Sequence, residues 1–214
     1  MKTPRSILRH YDDPLSLVWL RTAQRLGIRV TRSREVFASW DGAGTLTLGA
    51  DEDLDPDDCL AQMILHELCH ALIEGEEALA RTDWGLENVD DRDATREMAA
   101  MRLQASLLAP HGLRRLLAVT TEWRGAYDAL PDDPLADRAA NETEDGAEEA
   151  TRLAREGWVV ATTGPWSKPL AEALCATAAI ARAAAPFASG ESLWSETETD
   201  RPRAGDEGGA GGAR

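Results

Sequence analysis

The chain has 214 residues, 43% of them apolar and 29% charged, enough for one sizeable core. Its formal charge of −15 argues against nucleic acid or an anionic membrane surface as the main partner, because phosphate groups are held by clustered cations. Three cysteines, an odd number, fit a reducing compartment better than a disulfide framework, and Met1 to Asp13 lacks the apolar stretch of a signal peptide, so a cytoplasmic protein is expected.

Residues 1–34 hold eight Lys or Arg against two Asp, and this basic segment is expected to pack on the acidic remainder, the alternative being that it meets an acidic partner. Leu15 to Leu26 reads as a helix with Pro14 early and Gly27 as its stop, and its leucines and Trp19 are core candidates. Ile28 to Thr31 and Val36 to Trp40 read as strands. Asp41-Gly42-Ala43-Gly44 is a turn into Thr45-Leu46-Thr47-Leu48-Gly49, which makes a hairpin directly before the next helix. The acidic run Asp51 to Asp58 suits a helix entry, with Asp55 as N-cap and Pro56 in the first position. It lacks the alternation and the glycine of a calcium loop.

The next helix contains Met63-Ile64-Leu65-His66-Glu67-Leu68-Cys69-His70-Ala71-Leu72-Ile73, an H-E-x-x-H pattern in an apolar run. Residues four apart lie one turn above each other, so His66 and His70 can aim imidazole nitrogens at one metal ion. Two imidazoles suit Zn²⁺, and Glu67 beside them is placed to take a proton from a metal-activated water. Cys69 lies about 100° round the helix from His70 and points elsewhere, as a small buried thiol. Cys59 falls in the first turn, about 10 Å before His66, too far to ligate. It also cannot pair with Cys69, since ten residues of helix separate the two by about 15 Å.

Gly75 ends this helix, and the acid-rich stretch from Glu76 to Asp93, with Trp84, reads as a loop that returns a second helix beside the first. In that helix, Arg96 to Pro110, the residues Glu97, Ala100, Met101, Gln104 and Leu108 share one face, which puts Glu97 in the packed interface as the candidate third ligand. Glu74, Glu87, Asp90 and Asp93 are its rivals. His111 reads as a solvated cap. Leu113 to Leu130 is expected to be an amphipathic helix, Asp132 to Glu149 an acidic solvated linker, and Ala147 to Glu156 and Lys168 to Ala185 further helices with Trp158-Val159-Val160 and Gly164-Pro165-Trp166 between them. Pro169 to Phe187 is the nearest approach to a membrane span, but Glu172, Arg182 and its many alanines make it a core helix. The segment from Ser195 onward should be a disordered tail.

The order H-E-x-x-H, a Glu twenty-seven residues on and a Pro thirteen beyond that resembles the ImmA/IrrE family of small zincin-type metallopeptidases, over about residues 14–112. The family pattern is H-E-L-G-H-A-L followed by E-x-x-A-N-x-F-A-x-x-L-L-x-P. Cys69 stands here for the usual Gly, Met101 for the Asn and Leu103 for the Phe, and no ligand position is lost. The resemblance implies His66, His70 and Glu97 as ligands of one Zn²⁺ per chain, with Glu67 as general base. It also implies that residues 45–49 form the upper rim of the cleft and pair with an extended peptide.

The expectation is one α+β domain over residues 1–190 with a small sheet and mostly helices, comprising a zincin-like core at 14–112 and a helical part at 113–190. Its function would be zinc-dependent hydrolysis of a peptide bond in a protein substrate, with Tyr127 and His111 as the candidates for an oxyanion donor. The competing readings are a non-catalytic zinc-binding module that docks a regulatory partner, and a zinc hydrolase of small amides.

Overall fold

The computed structural model describes residues 11–83, 91–136 and 146–196. Within them the chain is α+β, with six α-helices and one three-stranded sheet. Helix α1, Pro14–Arg25, starts where the Asp13 carboxylate accepts from the Ser16 amide at 2.8 Å, and Pro14 supplies a first-turn residue whose missing N–H costs nothing. Its buried stripe is Leu15, Trp19, Thr22 and Ala23. Gly27 then takes φ +81°, a left-handed conformation that a side chain would strain.

The sheet is made of β1 (Arg29–Ser33), β2 (Ala38–Trp40) and β3 (Thr45–Gly49), in the order β1-β3-β2. The expected hairpin is present: β2 and β3 are antiparallel, and Asp41 Oδ1 accepts from the amides of Ala43 and Thr45 at 2.7 and 2.8 Å. β1 pairs parallel with the other side of β3. This overturns the expectation that residues 45–49 pair with a peptide, because β3 is the middle strand and both its edges already carry strands. Leu46 and Leu48 of β3 are buried in the main core.

The basic segment does pack on acidic groups from Arg25 on: Arg25 pairs with Glu172, Arg32 with Asp51 and Arg34 with Glu52. The Arg25 and Arg34 pairs are solvent-exposed and contribute little each, while Arg32 is partly buried. Residues 1–10 lie outside the described residues.

Helix α2, Leu60–Glu74, carries the H-E-x-x-H motif and ends at Gly75, as expected. Its start differs. Cys59, not Asp55, is the N-cap, and a reciprocal box forms in which the thiol accepts from the Gln62 amide and Gln62 Oε1 accepts from the Cys59 amide at 3.1 Å. Asp55 to Asp58 instead closes a turn, with the Asp58 amide donating to the Asp55 carbonyl. α2 is buried on nearly every side, as a helix must be when it sits at the centre of a layered fold. It contacts α1, α3 (Asp91–Leu108) and α5 (Ala147–Thr163).

α3 begins five residues before the expected Arg96. α5 crosses both α2 and α3 at Gly157, where an added Cβ would lie 2.9 Å from Ile73 Cγ2 and 2.9 Å from Leu103 Cδ2. α5 also runs on through Trp158, Val159 and Val160, placed by sequence between helices; they are helical and exposed. The break comes only at Gly164-Pro165. α6, Ser167–Ala184, lies on α1 and α5, and Trp19 Nε1 donates to Thr177 Oγ1 at 3.1 Å. Among the described residues it is the one helix long and apolar enough to cross a membrane; 33% of that window is buried.

Leu113–Leu130 is not one helix. Turns cover 114–117, residues 118–120 are non-helical, and α4 spans only Thr121–Asp128. Two side chains hold carbonyls there that a continuous helix would have used itself: Gln104 Nε2 donates to Leu117 and Arg124 Nε to Val119. The expected linker starts solvated at Asp132 and Asp133, but Pro134 is buried and its carbonyl accepts from Arg102 Nη1 at 2.6 Å. Residues 137–145, and the tail from 197 onward, lie outside the described residues.

Candidate metal centre

His66 and His70 project from the same face of α2 because one turn separates them. Their rings meet nearly edge to face, 88° between planes with centroids 4.7 Å apart, and the two Nε2 atoms are 3.1 Å from each other. Glu97, in the first half of α3, reaches between them. Its Oε1 is 3.1 Å from His66 Nε2 and its Oε2 3.1 Å from His70 Nε2. The ligand atoms of the three residues all lie within 4.8 Å of one another, and among the described residues this is the one group of His, Cys, Asp and Glu placed to hold a metal ion.

All three are largely withdrawn from water, with side-chain exposures of 14% for His66, 2% for His70 and 6% for Glu97. Burial alone would raise the Glu97 carboxyl, but His66 and then His70 outweigh it and hold the group well below the usual carboxylate range. Burial would likewise lower the His66 pKa, yet the Glu97 charge and hydrogen bond reverse this and raise it to about 9. Without a metal, then, a proton on His66 supplies the positive charge that the buried carboxylate requires.

Glu67 is buried beside the ligands, and burial pushes its carboxyl up against the opposing pull of His70 and His66. A carboxylate made more basic in this way is a better proton acceptor near neutral pH.

One residue of the site carried no functional assignment in the sequence. Gln104, two turns beyond Glu97 on α3, has its Oε1 2.8 Å from His66 Nδ1 and donates from Nε2 to the Leu117 carbonyl at 2.8 Å. The available signal was its position: an amide on the same packed face as Glu97, among alanines and leucines, has to find buried partners.

The other candidates separate cleanly. Glu74 is committed to Arg96 at 2.8 Å and Arg81 at 3.3 Å. Glu87 and Asp90 lie outside the described residues, as does the side chain of Asp93. Cys69 is buried and free, its thiol pushed far up by burial, and Cys59 and Cys175 are free as well. Tyr127 is buried with its hydroxyl donating to the Arg114 carbonyl at 3.1 Å, so it offers no hydrogen to an oxyanion at the metal group. His111 is partly exposed after α3, its pKa lowered by burial and by Arg182.

No protein-family model, no curated protein and no solved structure matches the chain.

Proposed function

We propose that this protein is a zinc metallopeptidase of zincin type, related to the ImmA/IrrE family, that hydrolyses a peptide bond in a protein substrate. The observation that carries the reading is the convergence of His66 Nε2, His70 Nε2 and both oxygens of Glu97 with the buried Glu67 alongside. Two imidazoles and one carboxylate are the donor set of catalytic zinc, where three protein ligands leave a position open to water or substrate, whereas structural zinc sites close with four. When bound, zinc supplies a Lewis acid that makes water acidic enough to act as nucleophile near neutral pH and that steadies negative charge on a carbonyl oxygen.

The chain's own residues do the rest. Glu97 and the two histidines set the ion's place from two helices packed side by side. Glu67 accepts the proton of the attacking water and can return it to the departing amine. Three free cysteines accord with residence in the cytoplasm.

The experiment is Glu67→Gln, which keeps shape and removes basicity. The variant should bind zinc and its partner as the parent does, while cleavage falls by roughly 10²- to 10⁴-fold in a terminal-labelling comparison run with and without chelator. If the parent cuts nothing and Glu67→Gln supports the same cellular function, a docking module replaces the peptidase.

A further inference from the structure

The amide of Gln104 is completely buried, and both its ends are engaged: Nε2 donates to the Leu117 carbonyl at 2.8 Å and Oε1 faces His66 Nδ1 at 2.8 Å. A backbone carbonyl can only accept, so the NH₂ end of Gln104 must point at Leu117 and the oxygen at the imidazole. An amide oxygen also only accepts, so His66 Nδ1 must carry a hydrogen. In a neutral imidazole, a hydrogen on Nδ1 leaves the lone pair on Nε2. Nε2 is the atom turned toward Glu97 and His70.

We infer that Gln104 is a positioning residue: it fixes the tautomer and ring orientation of His66 so that Nε2 is presented to the metal as a lone-pair donor. The opposite tautomer would set two acceptors against each other in a buried place and leave the Nε2–H pointing at the ion. The chain pays for this arrangement with the irregular stretch before α4. Leu117 is followed by three non-helical residues, and its carbonyl is free to orient Gln104 because no helical amide claims it. α3 thus delivers two functions from one face, a ligand at Glu97 and the hydrogen-bond acceptor behind another ligand two turns later.

The inference rests on the metal-site reading, and the test separates the two. Zinc is titrated by competition into the full chain and into Gln104→Met, which keeps length and loses the acceptor, and Gln104→Glu, which keeps an acceptor for His66 and, protonated on its other oxygen in this buried place, can still donate to the Leu117 carbonyl. Long-range ¹H–¹⁵N NMR of ¹⁵N-histidine protein reports which His66 nitrogen is protonated. The expected result is Nδ1–H and metal-bound Nε2 in the parent, zinc affinity 10- to 100-fold weaker in Gln104→Met at unchanged helical content, and recovery of most of that loss in Gln104→Glu. Coordination through Nδ1, or a folded Gln104→Met that holds zinc within about twofold of the parent, overturns the inference. If Gln104→Met fails to fold, the NMR of the parent decides alone. If the parent takes up no zinc, the metal-site reading falls, and the tautomer is read on the zinc-free protein at alkaline pH, where anything but Nδ1–H refutes the role of Gln104.

Discussion

Glu97 Oε2 lies 3.1 Å from His70 Nε2, both side chains buried, although the two residues belong to different helices and stand twenty-seven positions apart in the chain. A contact of this kind is held from both sides: α2 fixes the imidazole, α3 fixes the carboxylate, and the packing of one on the other sets the gap. Disturbing either helix should therefore show in metal binding.

Purified protein should contain about one zinc per chain, by elemental analysis, as two imidazoles and one carboxylate at fixed positions form a single site. His66→Ala and His70→Ala should lose the metal. Cys69→Ser should keep it, because the thiol is outside the ligand group; zinc loss in that variant would contradict the site.

Glu97→Ala should weaken zinc binding far more than Glu74→Ala. The Glu74 side chain is 4% exposed and bridges Arg81 and Arg96, so its removal strips charge-assisted bonds and should cost about 1–3 kcal/mol of fold stability instead. Zinc titration should separate the two variants, with Glu74→Ala staying close to the parent and Glu97→Ala losing most of its affinity.

Proton linkage gives a pH signature. In the zinc-free protein the His66 pKa is raised from 6.5 to about 9, so its ion pair with Glu97 adds stability that is fully present below about 6.5 and lost as pH rises through about 9. Zinc must displace that proton, so apparent affinity should climb about tenfold per pH unit as pH approaches 9 from below. Zinc-free stability and zinc affinity should thus move in opposite directions over the same window. A flat affinity profile in calorimetry at several pH values would show that His66 does not exchange a proton for the metal.

Gly157→Ala tests the seat of α5. Helix propensity alone would favour alanine by about 1 kcal/mol. The new methyl would stand 2.9 Å from Ile73 Cγ2 and Leu103 Cδ2, and overpacking of this kind costs about 1–3 kcal/mol. Ile73 is branched at Cβ and cannot swing the methyl away without changing its one stiff torsion, so the net effect should be destabilising. Because α5 presses on both ligand-bearing helices, zinc affinity should fall with it.

The site was more legible than the fold around it. His66, Glu67 and His70 follow from a one-turn spacing, and Glu97 from its place on a packed face; both are local, periodic signals. Strand order is neither. Nothing in Thr45 to Gly49 says that β1 will flank its other edge, so the role of β3 as a middle strand could not be read from its residues. Helix ends failed for a related reason. Asp55 and Pro56 have the right side chains for a helix start, but the reciprocal Cys59–Gln62 bonds settle the start four residues later. Leu113 to Leu130 has a helical apolar period throughout, yet 118–120 are irregular, and Gln104 and Arg124 hold the carbonyls of Leu117 and Val119 there. In α5, the helix expected to end at Glu156 runs on through Trp158, Val159 and Val160 to Thr163.

α2 is enclosed by neighbours along almost its whole length, and this bears on how metal would enter and leave. An element so enclosed opens its backbone only when the domain as a whole unfolds, while side chains can change rotamer far sooner. A chelator should then strip the ion through rotation of His66, the most exposed of the three ligands, and the amide hydrogens from Ile64 to Leu72 should stay protected against exchange with solvent deuterium throughout. Metal exchange and backbone opening would run on separate clocks.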